Sequence, residues 1–203
     1  MNLVETLNKR RDTRHFLTDS IDHNIVEDAI KFAANAPSVG QLKPTRFILI
    51  ESIEGKTKVK KNFIETNKQA IEKAKSANKN IEYESLKLEG ILESPVGMII
   101  CYDVDVLKNF TIGTITKPNE MLIASTSCAI HTLWLYLTSK DLSLGWVSIL
   151  NFELLKSDFD IPESWQPLGY FCIGKPATDY EKMPMLTLNN WESFHRGYVI
   201  SKK

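Results

Sequence analysis

The densest cluster of charged side chains in the sequence lies near its amino terminus, at Arg10, Arg11, Asp12 and Arg14, with Thr13 among them. Three guanidinium groups so close together can clamp a phosphate, because each presents a fork of donors. A charge-assisted bond of this kind contributes roughly 1.5–3 kcal/mol when it is shielded from water. A solvated basic turn in which Asp12 is the local counter-ion explains the same residues. On side-chain chemistry alone, this second interpretation is the stronger one.

A second candidate segment is Pro37, Ser38, Val39 and Gly40, directly after a helical pattern. Pro37 marks the end of the helix, Ser38 offers a hydroxyl group, and Gly40 allows a close approach of the backbone. Main-chain amides in such a segment can face a planar heterocycle. Taken alone, the segment is equally well explained as a turn.

The composition excludes several kinds of partner and site. Lys+Arg and Asp+Glu both total 25, so the net charge of zero gives no electrostatic case for nucleic acid or an anionic membrane. The three cysteines are far apart in apolar runs, which predicts core residues in a reducing compartment and no metal site. The amino-terminal residues are charged and do not resemble a secretory signal. We therefore expect a cytoplasmic protein.

The elements that would position these residues form one α+β domain spanning residues 1–203. Periodicity predicts helices over residues 3–10, after Asp22, within the charged stretch 56–92, over 121–139 and after Asn151. It predicts strands over residues 46–51, 96–102, 144–150 and 168–173. Residues 121–139 carry no charge, but serine, threonine and histidine interrupt them, so a buried or interface helix is a better interpretation than a membrane span. No GxGxxG or GxxxxGK[ST] motif is present, so basic side chains must hold any phosphorylated cofactor.

The two candidate segments together resemble motifs of the FMN-dependent nitroreductase superfamily. They read RRDTRHF at residues 10–16 and APSVGQLKPTRF at residues 36–47. Two further segments, SLKLEGI at 85–91 and GWVSIL at 145–150, resemble the BluB branch, the 5,6-dimethylbenzimidazole synthases. Each motif is weak by itself, but four in order at family-like spacing are a strong signal.

The resemblance implies an intertwined homodimer with a central, mostly antiparallel sheet surrounded by helices and with FMN bound at the subunit interface. It assigns the phosphate clamp to the amino-terminal arginines, flavin contacts to the second segment, and backbone contacts near the reactive edge to the GWVS segment. Arg196 is included as a candidate substitute for the basic residue of the family's C-terminal segment, on the basis of its charge alone. The implied cofactor contacts are Arg10, Arg11, Asp12, Thr13, Arg14, Pro37, Ser38, Val39, Gly40, Gly145, Trp146, Ser148 and Arg196.

The same resemblance assigns catalysis to Asp12 and Ser148. The implied reaction consumes reduced FMN and O2 and releases 5,6-dimethylbenzimidazole and a sugar phosphate. It requires removal of a proton near the ribityl C1′, and a carboxylate beside arginines is available as the base. Ser148 would orient the flavin or relay a proton. The competing interpretations are an ion pair that holds the arginines, for Asp12, and a hydrogen-bonded strand hydroxyl, for Ser148.

Three functions remain open at this point. The first is the flavin-consuming synthase, supplied with reduced FMN by a separate reductase. The second is an NAD(P)H-dependent nitroreductase or quinone reductase in which FMN stays bound and cycles. Lys43 and Thr45 stand where the family motif has Gln and Trp, and this departure leaves the reductase function as an alternative. The third is a flavin-binding protein without catalysis, against which the presence of both Asp12 and Ser148 argues.

Overall fold

A four-stranded antiparallel sheet is the centre of the fold. The computed structural model describes residues 1–108, 112–177, 186 and 200–201. The sheet contains β1 (Thr45–Ile50), β2 (Val96–Asp103), β3 (Ser143–Val147) and β4 (Trp165–Gly174). The strands lie in the order β1-β2-β4-β3, and all three pairings between them are antiparallel. The predicted α+β class with a mostly antiparallel central sheet is confirmed.

Six helices surround this sheet in the described part of the chain. They are α1 (Leu3–Lys9), α2 (His23–Ala33), α3 (Ile53–Ser76), α4 (Asn80–Glu84), α5 (Pro118–Ser139) and α6 (Phe152–Asp158). Local signals fix several of their starts, because a side-chain oxygen accepts a hydrogen bond from an amide of the first turn. Asp22 caps α2 through Asn24, and Asn151 caps α6 through Leu154.

The sheet is buried on both faces, so two apolar cores flank it. Successive side chains of a strand point to opposite faces. Accordingly, Met98 and Ile100 of β2 pack with α2 and α5, whereas Ile99 and Cys101 pack with α3 and α6. β4 alternates in the same way. The result is a three-layer arrangement in which the sheet is a rigid platform.

Two predictions about the strands need correction. β1 was expected to be a buried strand, but it is an edge strand and most of its residues are half-buried. β3 was expected to continue to Leu150, but it ends at Val147. The chain turns there, because the amide of Leu150 donates to the carbonyl of Ser148 at 3.0 Å. Ser148 therefore lies just beyond the strand.

Helix α5 is the long apolar helix predicted from the sequence. Its hydroxyl groups are accommodated locally, since Ser125 and Thr138 donate to the carbonyls of Met121 and Trp134 at 2.7 and 2.9 Å. By length and composition it would suffice to cross a membrane, but half of its most apolar stretch is buried in the fold. The remaining face, which includes Ile123, is exposed in the single chain.

Gly97 of β2 lies directly against the side chain of Tyr170 of β4. A Cβ atom at Gly97 would lie 1.7 Å from the Tyr170 hydroxyl oxygen. That hydroxyl group is buried and has no hydrogen-bond partner among the described residues.

We predict that Gly97→Ala lowers the free energy of unfolding by about 1–3 kcal/mol or more, because the new methyl group overpacks this contact. Tyr170→Phe should leave the free energy unchanged or raise it, because it removes an unsatisfied buried hydroxyl group. Urea unfolding followed by circular dichroism measures both. A Tyr170→Phe protein that is clearly less stable would show that the hydroxyl group has a partner.

Candidate functional site

The amino-terminal segment docks on the free edge of β3. Asp12 forms a parallel bridge with Leu144, and the amide of Thr13 donates to the Leu144 carbonyl at 3.1 Å. Further along, the amide of Leu17 donates to the Lys175 carbonyl at 3.0 Å. The segment is thus held at both ends by backbone hydrogen bonds, which fixes the position of the side chains that it carries.

Gly145 makes this docking possible. A Cβ atom at Gly145 would lie 2.0 Å from the carbonyl oxygen of Thr13 and 3.1 Å from Nη1 of Arg14. Any side chain at this position would push the segment away from β3. The glycine expected to let the backbone approach the flavin therefore also lets two parts of the chain approach each other.

The carboxylate of Asp12 accepts three hydrogen bonds. The Trp146 amide donates to its Oδ1 at 2.9 Å, and the two terminal nitrogens of Arg14 donate to Oδ1 at 2.6 Å and to Oδ2 at 2.5 Å. Its side chain is nevertheless 43% exposed. A carboxylate offers about four lone-pair sites, so one remains on Oδ2. Asp12 is held in place and still reachable from outside.

The three arginines of the cluster are used differently. Arg14 is only 14% exposed, and besides Asp12 it binds the Trp146 carbonyl at 3.0 Å. Arg11 donates to the carbonyls of Asn8 and Arg10, both at 2.8 Å. Arg10 is half-buried and makes no side-chain hydrogen bond within the described residues. As far as the described residues show, the donors of Arg10 are available for a ligand.

Ser148 follows β3 two residues after Trp146, whose amide binds Asp12. It is exposed, and its hydroxyl group has no hydrogen-bond partner in the part of the chain that the structure describes. The loop that carries it is fixed by Asn62 of α3, whose side-chain amide donates to the Asn151 carbonyl at 2.9 Å and accepts from the Asn151 amide at 2.7 Å.

Sequence reasoning missed Asn62. It is 1% exposed and lies on the same face of α3 as the buried residues Val59 and Phe63. An asparagine at the spacing of an apolar stripe was the available signal, because a buried amide must find partners.

The second candidate segment packs on a different part of α5. The Val39 amide donates to Oγ of Ser125 at 3.0 Å, and Oγ of Ser38 accepts from the Lys43 amide at 2.9 Å. Gly40 and Lys43 have φ values of 51° and 46°, in the left-handed region. A lysine there is strained, and such strain concentrates at functional sites.

The two candidate segments do not meet within one chain. Arg10 contacts α5 at Trp134 and Val39 contacts it at Ser125. Nine residues are two and a half helical turns, so these contacts lie on opposite faces of α5 and about 14 Å apart along its axis. The structure brings Asp12, Trp146 and the Ser148 loop together, but it does not bring Pro37–Gly40 to them. Arg196 lies outside the described residues.

The fold and these motifs match a known family. The family model of the nitroreductases, described as the Nitroreductase family, matches residues 7–175, which include the docked segment, the second segment and all four strands. The chain belongs to the nitroreductase family. The match confirms the family resemblance seen in the sequence motifs.

Curated relatives match the chain over most of its length. A 5,6-dimethylbenzimidazole synthase of Rhodospirillum rubrum is 33% identical over 193 residues, which cover 95% of this chain and 90% of that protein. One of Rhodobacter capsulatus is 32% identical over 94% of this chain and 90% of its own length. Among solved structures, oxidized iodotyrosine deiodinase bound to FMN and 3-iodo-L-tyrosine superimposes with a TM-score of 0.77 at 18% identity, covering 99% of this chain and 98% of that one. That last likeness concerns the fold.

We predict that Gly145→Ala releases the docked segment, because the added methyl group would overlap the Thr13 carbonyl. Limited trypsin digestion should then cleave after Arg10, Arg11 and Arg14 at least several-fold faster than in the wild type, as read by mass spectrometry. Gly55→Ala, which places a methyl group against the Ile50 side chain instead, is the matched control and should leave these cleavage rates unchanged. Equal rates in Gly145→Ala and the wild type would contradict the docking role.

Proposed function

We propose that the chain is an FMN-dependent oxidoreductase that converts reduced FMN and O2 into 5,6-dimethylbenzimidazole and a sugar phosphate. The observation that carries this proposal is the end-to-end match to the Rhodospirillum rubrum synthase at 33% identity. A family model alone would leave the reaction open, since the solved structures with this fold include proteins of other names.

The donor set near the amino terminus fits FMN. A half-buried guanidinium group with unused donors, as at Arg10, suits a phosphate monoester, which accepts several charge-assisted bonds at once. Arg11 holds the backbone of Arg10 through its carbonyl. When bound, reduced FMN supplies the electrons for O2 and the ring that becomes the product. Arg14 and Thr13 fix the segment beside it.

In this proposal Asp12 is the base. Arg14 and the Trp146 amide hold its carboxylate, and the lone pair that remains on Oδ2 would accept the proton removed near the ribityl C1′ of FMN. Ser148, two residues beyond Trp146, orients the flavin or relays the proton with a hydroxyl group that has no other partner among the described residues. The ion pair with Arg14 and the catalytic role are compatible, because the pair fixes the base.

We further propose that two copies of the chain form the complete site. The Pro37–Gly40 segment and the Asp12 cluster lie on opposite sides of α5, so one flavin can contact both only if a second copy supplies one of them. The exposed face of α5 offers a surface for this pairing, because Ile123, Ala124 and Cys128 are apolar and follow helical spacing.

The remaining parts of the proposal concern supply and location. A separate flavin reductase provides reduced FMN, since the synthase consumes it rather than recycling it. The three cysteines are free, which fits a reducing compartment such as the cytoplasm. Cys101 and Cys172 are buried as predicted, but Cys128 is exposed, so the prediction that it is a core residue is wrong for the single chain.

Purified protein supplied with FMN, NADH, a flavin reductase and air should form 5,6-dimethylbenzimidazole. Chromatography of the reaction mixture measures this product. We predict that Asp12→Asn lowers the rate at least about 100-fold, because a general base is lost, and that Ser148→Ala lowers it less. Asp28→Asn, which removes an exposed carboxylate paired with Lys31 on α2, is the control and should be fully active. Turnover of a nitroaromatic with NAD(P)H, with FMN intact and no product, would instead establish the nitroreductase function. A flavin-binding protein inert in both assays would establish the non-catalytic one.

The homodimer makes a separate prediction about thiol reactivity. Burial raises the pKa of Cys101 and Cys172 to about 12, so both thiols stay protonated and unreactive at pH 8. Only the exposed Cys128 should react with a thiol reagent, and its rate should fall as the protein concentration rises and the α5 face becomes covered.

Two variants sharpen this test. Ile123→Glu places a charge on the exposed α5 face and should yield a monomer by analytical ultracentrifugation, with Cys128 reactive at every concentration. Leu154→Glu alters an exposed leucine on α6, on the other side of the sheet, and should remain dimeric. A Cys128 rate in the wild-type dimer as high as that in the Ile123→Glu monomer would place the interface elsewhere.

A further inference from the structure

The guanidinium group of Arg10 lies on the indole ring of Trp134, with its Cζ atom 4.8 Å from the ring centroid. We propose that Trp134 is a positioning residue that orients Arg10 toward the phosphate of FMN. This inference rests on the proposed function, in which Arg10 binds that phosphate. Trp134 itself need not touch the ligand.

The contact with Trp134 leaves Arg10 able to bind a ligand. A cation–π contact is an electrostatic attraction between the charge and the face of the ring, and it requires no hydrogen-bond acceptor. Arg10 makes no side-chain hydrogen bond within the described residues, so it can present its donors to an anion while its charge stays over the ring. The ring also restricts a long side chain that would otherwise have to be ordered when the ligand binds.

The surroundings fix both members of the pair. The Arg10 amide donates to the Thr6 carbonyl at the end of α1, and Arg11 binds the Arg10 carbonyl at 2.8 Å. Trp134 is 8% exposed on α5. Among the described contacts, Arg14 is bound instead to Asp12, and Arg11 to backbone carbonyls.

The indole nitrogen of Trp134 supports the inference. It is buried and has no hydrogen-bond acceptor within the described residues. A tryptophan kept for packing alone leaves this donor unsatisfied, whereas phenylalanine or methionine would fill the space without that cost. Tryptophan differs from these residues in the face of its indole ring, which attracts a cation more strongly than the ring of any other aromatic side chain.

The experiment compares the affinity of the whole protein for FMN and for riboflavin, which lacks the phosphate, by quenching of flavin fluorescence. Trp134→Met retains bulk without an aromatic face, and it should weaken FMN binding roughly 3- to 30-fold while riboflavin binding stays within about twofold. Trp134→Phe should lie between Trp134→Met and the wild type. In an Arg10→Ala background, Trp134→Met should cause no further selective loss.

The outcomes separate this inference from the proposed function. If the wild type binds riboflavin as tightly as FMN, or if Arg10→Ala leaves the preference intact, the proposed phosphate site is wrong. If Arg10→Ala abolishes the preference but Trp134→Met keeps it, the positioning role is overturned. Equal weakening of both ligands by Trp134→Met would show a merely structural contact and also overturn it. If Trp134→Met does not fold, Trp134→Phe decides: a loss confined to FMN supports the role, and no selective loss overturns it.

Discussion

The site depends on a ring of hydrogen bonds that joins the amino-terminal segment to β3. Asp12 accepts from the Trp146 amide, Arg14 donates to both oxygens of Asp12, and Arg14 also donates to the Trp146 carbonyl. Because Arg14 is mostly buried, loss of Asp12 would leave a buried charge without its partner, which is far more costly than loss of an exposed ion pair. The ring adds side-chain bonds to the backbone hydrogen bonds that Thr13 and Leu17 make to Leu144 and Lys175.

The three arginines of the cluster look equivalent in the sequence, but this ring gives them different contacts in the structure. The spacing of Arg10, Arg11 and Arg14 predicted one phosphate clamp, and it correctly located the cluster. It could not show which guanidinium group forms its hydrogen bonds within the protein, because one acceptor of Arg14, the Trp146 carbonyl, lies on a strand 132 residues further along the chain. Arg10, whose donors are available for a ligand, takes its position on Trp134 only when α1 packs on α5.

The same distinction explains how much of the fold could be predicted. Helix starts at Asp22 and Asn151 were predicted correctly, because a cap is a contact between residues two or three apart. The strands were found from apolar runs, but their neighbours were not, because pairing joins distant segments. For this reason β1 was taken for a buried strand, and Ser148 was placed inside β3 although the strand ends at Val147 and the chain turns from Ser148 to Leu150. Asn62 stayed hidden because its partner, the backbone of Asn151, is visible only after folding.

Helix α5 connects these observations. Its serine and threonine residues argued against a membrane span, and the structure gives one of them a specific use: Ser125 donates to its own helix and also accepts the Val39 amide of the second segment. Two and a half turns later, Trp134 carries Arg10 on the opposite face. If one flavin contacts both segments, as proposed, a second copy of the chain must supply one of them. Flavin binding should therefore be linked to dimer formation by mass action, so that each stabilises the other.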